Sequence, residues 1–288
     1  MNPSESKIPA IQIDVRIDRN TVLPGRAWCA ESPRGLIAVV HGIGEHSGRY
    51  AALAERLVDR RFTVVALDLP GHGEATGPRG DIPSWSDLRD RIVPSMFTLT
   101  RGMPGQPPEL PLVLLGHSMG GLLALDYTLT HSKTVLGAVS SAAAIRIPAP
   151  PSAKVMLARV AAMLSPTTGF PDGIAVEHLS RDSEVLDQRR ADKRVHDRIT
   201  PRTYFAMLDA QKRVLESARR LSAPVLLMHG AADKVTDPRG SLEFTAAAPH
   251  GIARLITYQD APHEIFNDPA RDQAIKDLIG WLDAIVVV

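Results

Sequence analysis

Short apolar runs alternate with amphipathic stretches along most of the 288 residues. The runs at 36–40, 63–67, 112–115, 136–140, 225–228 and 254–258 are rich in Val and Leu and show no strict alternation. Strands buried on both faces have that pattern. Residues 11–17 do alternate apolar and polar side chains, as an edge strand with one wet face would. Helix-period stretches lie between them near 49–60, 85–101, 119–130, 238–248 and 268–285. This succession predicts an α/β fold, a mostly parallel sheet with helices on both faces.

The rhythm breaks between residues 146 and 221, where no good strand is found. The segment opens with IPAPPS, whose three prolines disfavour regular structure. SAKVMLARVAAMLSP follows and reads as a helix capped by Ser152. Met156, Val160, Met163 and Leu164 share one face of that helix, widened by Leu157 and Ala161. The stripe is expected to pack the segment onto the body of the protein, and Met suits it to line an apolar pocket as well. Residues 146–221 thus read as a helical cap inserted after the sixth strand, on a core formed by 1–145 and 222–288. The basic-looking RDSEVLDQRRADKRVHDR interleaves five aspartates and glutamates with its cations and reads as a solvated helical face.

Composition narrows the classes further. The net charge is +1, which makes no electrostatic case for a nucleic-acid partner. A single cysteine, Cys29, rules out an intramolecular disulfide. The N-terminus lacks a stretch of signal-peptide character, and no run approaches the ~18 apolar residues of a membrane span. A soluble cytoplasmic protein is expected, monomeric or homodimeric.

The candidate chemistry sits in LGHSMGG, residues 115–121. Gly116-His117-Ser118-Met119-Gly120 fits G-x-S-x-G between the strand PLVLL and the helix MGGLLALDYTL. In a nucleophile elbow the serine occupies a strained strand-to-helix turn, and its flanks must be small where backbone passes close by. A serine hydroxyl needs a base, and the base an orienting acid, from loops after later strands. His263 follows the strand RLITY, and Asp233 follows PVLLMHG, so both belong to the rim that carries Ser118. His250 and His131 fall at the wrong end of the sheet, and His178 and His196 in the cap. His229 reads as a packed core residue, Asp237 as the cap of the next helix, and Asp260 as too close in sequence to His263. An oxyanion hole would draw on the backbone N–H groups of Met119 and of Ile43, which follows His41-Gly42. His41, Gly42 and Val235, with Met156, Val160, Met163 and Leu164 of the cap stripe, are expected to touch substrate.

HGIGEHSGRY, DLPGHGEATGPRG, GHSMGG, the Asp233 loop and PHEIFNDP together resemble the monoacylglycerol lipase family, bacterial type, of the α/β-hydrolase superfamily. The resemblance runs from about residue 14 to 282 and includes the cap. It implies an esterase that releases fatty acid and glycerol from monoacylglycerols, with Ser118 as nucleophile, Asp233 as triad acid and His263 as base. It also implies a lid with an apolar acyl channel and no metal or organic cofactor. Glu45 and His46 would shape the loop. Pro70 and Ala75 stand where the family commonly has Arg and Ser, and Asp260 where it often has Gly. The same triad would serve a general carboxylesterase, a lysophospholipase or a thioesterase. A lipid-like substrate further suggests transient contact of the cap with a membrane surface.

Overall fold

The computed structural model describes residues 8–19, 21–100, 103–148 and 152–287. Among them run ten strands: β1 (Ile11–Arg16), β2 (Val22–Trp28), β3 (Gly35–Val40), β4 (Phe62–Leu67), β5 (Leu112–His117), β6 (Gly137–Ser141), β7 (Phe170–Pro171), β8 (Arg198–Ile199), β9 (Val225–Gly230) and β10 (Ala253–Tyr258). Eight of them form one sheet in the order β1-β2-β4-β3-β5-β6-β9-β10. From β4 to β10 every pairing is parallel, while β2 runs antiparallel to both β1 and β4.

The unbroken apolar character of the central strands follows from their double burial. Leu36, Ala38 and Val40 of β3 point into one core, and Ile37 and Val39 into the other. Val225 and Leu227 of β9 divide from Leu226 and Met228 in the same way. The first core is closed by helices Met119–Thr130, Pro201–Ser217 and Pro238–Ala247, the second by Ala51–Val58 and Arg271–Ile285.

Strand β2 lies outside the strands expected from the sequence. Its VLPGRAW places Pro-Gly in mid-run, which reads as a turn. The glycine serves a different need: a Cβ on Gly25 would lie 2.4 Å from the carbonyl oxygen of Ala66 on β4. The helix expected over 85–101 is also interrupted. A π-helical stretch at Leu88–Ile92 separates Trp85–Asp87 from Val93–Phe97, just ahead of Pro94, which has no N–H to give.

After β6 the chain leaves the sheet, and it returns at β9, beside β6. Between them lie helix Ser152–Leu164, the ribbon β7–β8, helix Ser183–Ala191 and helix Pro201–Ser217. The ribbon is two residues per strand and is the exception to the strand-free reading of this segment. Residues 149–151 and the side chains of Ser152 and Leu157 lie outside the described residues. Helix Pro201–Ser217 falls within the span expected for the cap, yet its Met207, Ala210 and Val214 are buried in the first core.

The fold positions a site without further help. β4 and β5 flank β3 on opposite sides, so the chain reverses its winding direction at β3–β5. In an open parallel sheet, ligands bind where the strand order reverses, at the carboxyl ends of the strands. The loops that leave those two ends carry His41–Glu45 and Ser118.

Candidate active site

Ser118 follows β5 directly and adopts φ +56° and ψ −116°, a left-handed backbone for a residue with a side chain. Its N–H donates to the carbonyl of Ser141 at 2.9 Å, and its own carbonyl accepts from Leu122 and Ala144 at 3.0 Å each. Those bonds hold the strained turn in place. The flanking glycines are sterically required: a Cβ on Gly116 would meet the Gly120 carbonyl at 2.0 Å, and one on Gly120 the Val40 carbonyl at 2.1 Å. Met119 opens the following helix, where first-turn N–H groups have no partner within the helix. Gly42 abuts the elbow, since a Cβ there would lie 3.1 Å from that of Ser118.

Asp233 lies in the loop after β9 and is 9% exposed. Oδ1 accepts from the N–H groups of Val235 (2.7 Å) and Thr236 (3.0 Å). Oδ2 accepts from the Thr236 hydroxyl at 2.8 Å and stands 2.7 Å from His263 Nδ1 and 3.1 Å from His229 Nε2. Burial opposes its charge, but the two imidazoles outweigh burial and hold the carboxyl well below the usual carboxylate range. With Nδ1 engaged by Asp233, Nε2 is the nitrogen of His263 left to exchange protons. The ring of His117 lies 4.7 Å from that of His263. Burial, reinforced by His263, pushes His117 down to about 4, so it stays neutral at pH 7.

His229 is buried, as expected, but it has a partner the sequence did not disclose. Its Nδ1 bonds Ser241 at 2.8 Å while Nε2 faces the carboxylate of Asp233. Its position four residues before Asp233, at the end of β9, was the available signal.

A second buried network joins the two loops of the site. Glu45 Oε1 accepts from the Gly42 N–H at 2.6 Å and from the Tyr50 hydroxyl at 2.8 Å. Its Oε2 accepts from Arg49 at 2.9 Å. Arg49 also makes two parallel bonds to Glu264, at 2.8 and 2.7 Å. One guanidinium therefore ties the loop after β3 to the residue that follows His263. Arg189, on helix Ser183–Ala191, approaches Glu264 at 3.7 Å, and its side chain is 9% exposed on a helix expected to be a solvated face. That helix face is otherwise solvent-exposed or half-buried, as the interleaved charges predicted.

A cavity of about 230 Å³ opens on Ser118. Ile43 and Val235 line it, with Ile174, Ile199, Tyr204 and Met207 as apolar walls and Asp172, His178, Lys234 and Thr236 as polar ones. His41, Gly42 and the cap stripe, all expected to touch substrate, are not part of it. His41 is buried beneath the loop, its Nδ1 2.7 Å from the Gly42 carbonyl and its Nε2 accepting from the Leu69 N–H, so it supports the loop. Met156, Val160, Met163 and Leu164 are 71%, 48%, 85% and 81% exposed. They neither line the cavity nor pack helix Ser152–Leu164 onto the body. Helical spacing fixes that side chains share a face, but it does not say which way the face turns. The cap wall of the cavity comes instead from 147–148, 172–175, His178, Ile199 of β8, and Tyr204 and Met207 of helix Pro201–Ser217.

The remaining rivals fall where the sequence placed them. Asp237 caps helix Pro238–Ala247, accepting from the Arg239 N–H at 3.0 Å. His131 pairs with Asp90 at 2.7 Å, and His250 and Asp260 are exposed. His196 packs on His72 with ring centroids 4.9 Å apart. His178 lies in the cap, as expected, and also lines the cavity.

Comparison with known proteins points in one direction. The profile of the family described as serine aminopeptidase, S33 matches residues 31–270. The monoacylglycerol lipase of Mycolicibacterium smegmatis is 30% identical over 259 residues, covering 88% of this chain and 90% of that protein. The crystal structure of Paleococcus ferrophilus monoacylglycerol lipase superposes with a TM-score of 0.81 at 33% identity, covering 91% of this chain and 99% of that one. An uncharacterized abhydrolase domain-containing protein of Dictyostelium discoideum is 28% identical over 262 residues, and this chain spans 27% of its length.

Proposed function

The chain belongs to the monoacylglycerol lipase family, within the α/β-hydrolases that the serine aminopeptidase S33 profile describes, and on that premise we propose that it cleaves monoacylglycerols to fatty acid and glycerol through an acyl-enzyme on Ser118. It is a carboxylic ester hydrolase. The observation that supports the acyl-enzyme is the buried Asp233–His263 pair, 2.7 Å apart, on the rim that holds the strained serine, and the monoacylglycerol lipase relatives support the substrate.

In this mechanism His263 Nε2 takes the Ser118 proton as the hydroxyl oxygen attacks the ester carbonyl. Ionised Asp233 fixes the imidazole tautomer and stabilises the imidazolium. The N–H groups of Ile43 and Met119 receive the negative charge that develops on the carbonyl oxygen. His263 returns the proton to the departing alcohol, then activates the water that releases the acid. The part of 146–221 that precedes helix Pro201–Ser217 acts as the lid, since that helix belongs to the first core. The cavity, at about 230 Å³, is below the ~300–1,000 Å³ common for pockets that hold drug-sized ligands.

The test compares kcat/KM for an acyl series of glyceryl monoesters with p-nitrophenyl esters of the same acyl groups. Glyceryl esters should match or exceed the activated esters, with an optimum at one chain length. Turnover of short activated esters alone would replace this reading with a general carboxylesterase.

The outward stripe on helix Ser152–Leu164 supports a transient contact with a lipid surface, since Met163 and Leu164 are more than four-fifths exposed. No helix of the described residues is long and apolar enough to cross a membrane. Co-sedimentation with neutral liposomes is expected for the wild type and is expected to be lost in Met163→Glu. Equal recovery of both proteins in the pellet, or of neither, counts against the contact.

A further inference from the structure

His196 stands in the cap between helix Ser183–Ala191 and β8, yet its bonds run to the loops after β3 and β4. Its N–H donates to the Gly44 carbonyl at 2.9 Å. Gly44 follows Ile43 with φ +74°, and a Cβ there would lie 2.3 Å from the His196 carbonyl oxygen, so cap and loop meet backbone to backbone. On the other side of Ile43, the Gly42 N–H donates to the Glu45 carboxylate at 2.6 Å. The stretch 42–44 is thus held from the body at one end and from the cap at the other.

The imidazole of His196 fixes that cap backbone. Nδ1 accepts from the Arg198 N–H at 3.1 Å, which leaves Nε2 to donate to the Gly71 carbonyl, also at 3.1 Å. The loop that carries Gly71 is held from beneath by two further rings. Its Leu69 N–H donates to His41 Nε2 at 3.0 Å, and its Pro70 carbonyl accepts from His72 Nδ1 at 2.9 Å. His41, His72 and His196 form a column with ring centroids 5.2 and 4.9 Å apart. Its inner ring, His41, sits under Gly42, and its outer ring belongs to the cap. Both bonds of the His196 ring need the neutral form, since Nδ1 accepts only without a proton. Burial and Arg79 hold His196 at about 4, so the ring is neutral at pH 7.

We propose that His196 is a positioning residue, through which the cap holds the loop after β3 so that the Ile43 N–H meets the negative charge developing on the ester oxygen. This rests on the oxyanion role proposed for Ile43. His196 is not among the residues that line the cavity, so its effect on turnover passes through the loop.

The test compares wild type, His196→Ala, His196→Asn and His196→Gln on a p-nitrophenyl ester and on an alkyl trifluoromethyl ketone of the same chain length. The Ser118 oxygen adds to the ketone carbon, the C=O π pair moves to the oxygen, and the hydroxyl proton passes to His263. The inhibitor thus places a full oxyanion in the hole, which the bound ester does not. In His196→Ala kcat should fall about tenfold, because a displaced donor costs less than a lost one. KM should stay within about twofold, and the ketone Ki should rise by the same factor as kcat falls. Gln sets an amide N–H near the place of Nε2 and should recover most of kcat. Asn reaches only the place of Nδ1 and should be as slow as Ala, so it decides the matter if Ala does not fold. A ring that serves stability alone would lower Tm and leave kcat and Ki within about twofold of wild type, which overturns the proposal. A rise in KM at unchanged kcat overturns it too, as does a Gln variant as slow as Ala. A wild type that cleaves the ester but resists the ketone would instead remove the oxyanion assignment, and this inference with it.

Discussion

Ser118→Ala should lower kcat for ester hydrolysis by about 10⁴-fold or more, and its product should no longer be labelled by a fluorophosphonate probe. The size follows from the division of labour in the site. Without the hydroxyl, the base and acid have nothing to activate, and what remains is binding plus whatever the backbone N–H groups contribute. The fold should not change. Alanine carries the same Cβ through the same φ of +56°, and no described hydrogen bond of the Ser118 side chain is lost. A left-handed non-glycine residue costs roughly 1–2 kcal/mol, so Ser118→Gly should be equally inactive and slightly more heat-stable than either. A rise in Tm on losing the side chain would mark the elbow as strain held for chemistry. Activity within tenfold of wild type in Ser118→Ala would move the nucleophile elsewhere.

The second large effect is on stability. Arg49→Met should cost about 3–5 kcal/mol, because Glu45 and Glu264, each about 5% exposed or less, would be left as buried carboxylates without their shared cation. For a domain of this size that is a fall in Tm on the order of 10 °C. Arg49→Lys should recover little, since an ammonium cannot make the two parallel bonds to Glu264 and still reach Glu45. Pairing Arg49→Met with Glu264→Gln should regain part of the loss by removing one of the stranded charges.

The same network limits tolerance to acid. Burial pushes Glu45 up, but Arg49 outweighs it and holds the carboxyl at about 2. A carboxyl lowered on folding adds stability that is complete above its ordinary 4.5 and is lost as pH falls toward 2. His117 adds a loss that begins earlier. It is held at about 4 against an ordinary 6.5, so the unfolded chain takes up that proton first as pH falls through this range. The urea midpoint should therefore decline between pH 6.5 and 4 and fall more steeply below 4.5. The steeper limb should be shallower in Arg49→Met. A midpoint that is flat from pH 7 to 4 would show that His117 is free to charge in the folded state.

Legibility in the sequence tracked the range of the interaction involved. β3, β5 and β9 were visible because double burial makes every position apolar, and Met119–Thr130 because an elbow must be followed by a helix. Ser118, Asp233 and His263 could be placed because each follows the carboxyl end of a strand, and topology brings those ends to one rim. β2 was hidden by Pro24-Gly25, since a close backbone approach and a turn demand the same residue. The link from Arg49 to Glu264 spans 215 positions, and no local pattern announces it. The cap stripe failed for another reason. Amphipathicity records that a face is apolar, whereas its direction is settled by packing partners that the stripe does not name.

Because β6 and β9 lie side by side, the whole of 142–224 departs from one strand end and comes back to its neighbour. The sheet closes that gap whatever fills it. Doubling the length of a flexible excursion adds only ~0.6 kcal/mol to its closure entropy. The proposed nucleophile, acid and base all stand outside the excursion, at 118, 233 and 263. Much of the wall around the substrate stands inside it, Asp172, Ile174 and Tyr204 among it. A scaffold arranged in this way can change its diet by rewriting one interchangeable passage while the reaction itself is left untouched.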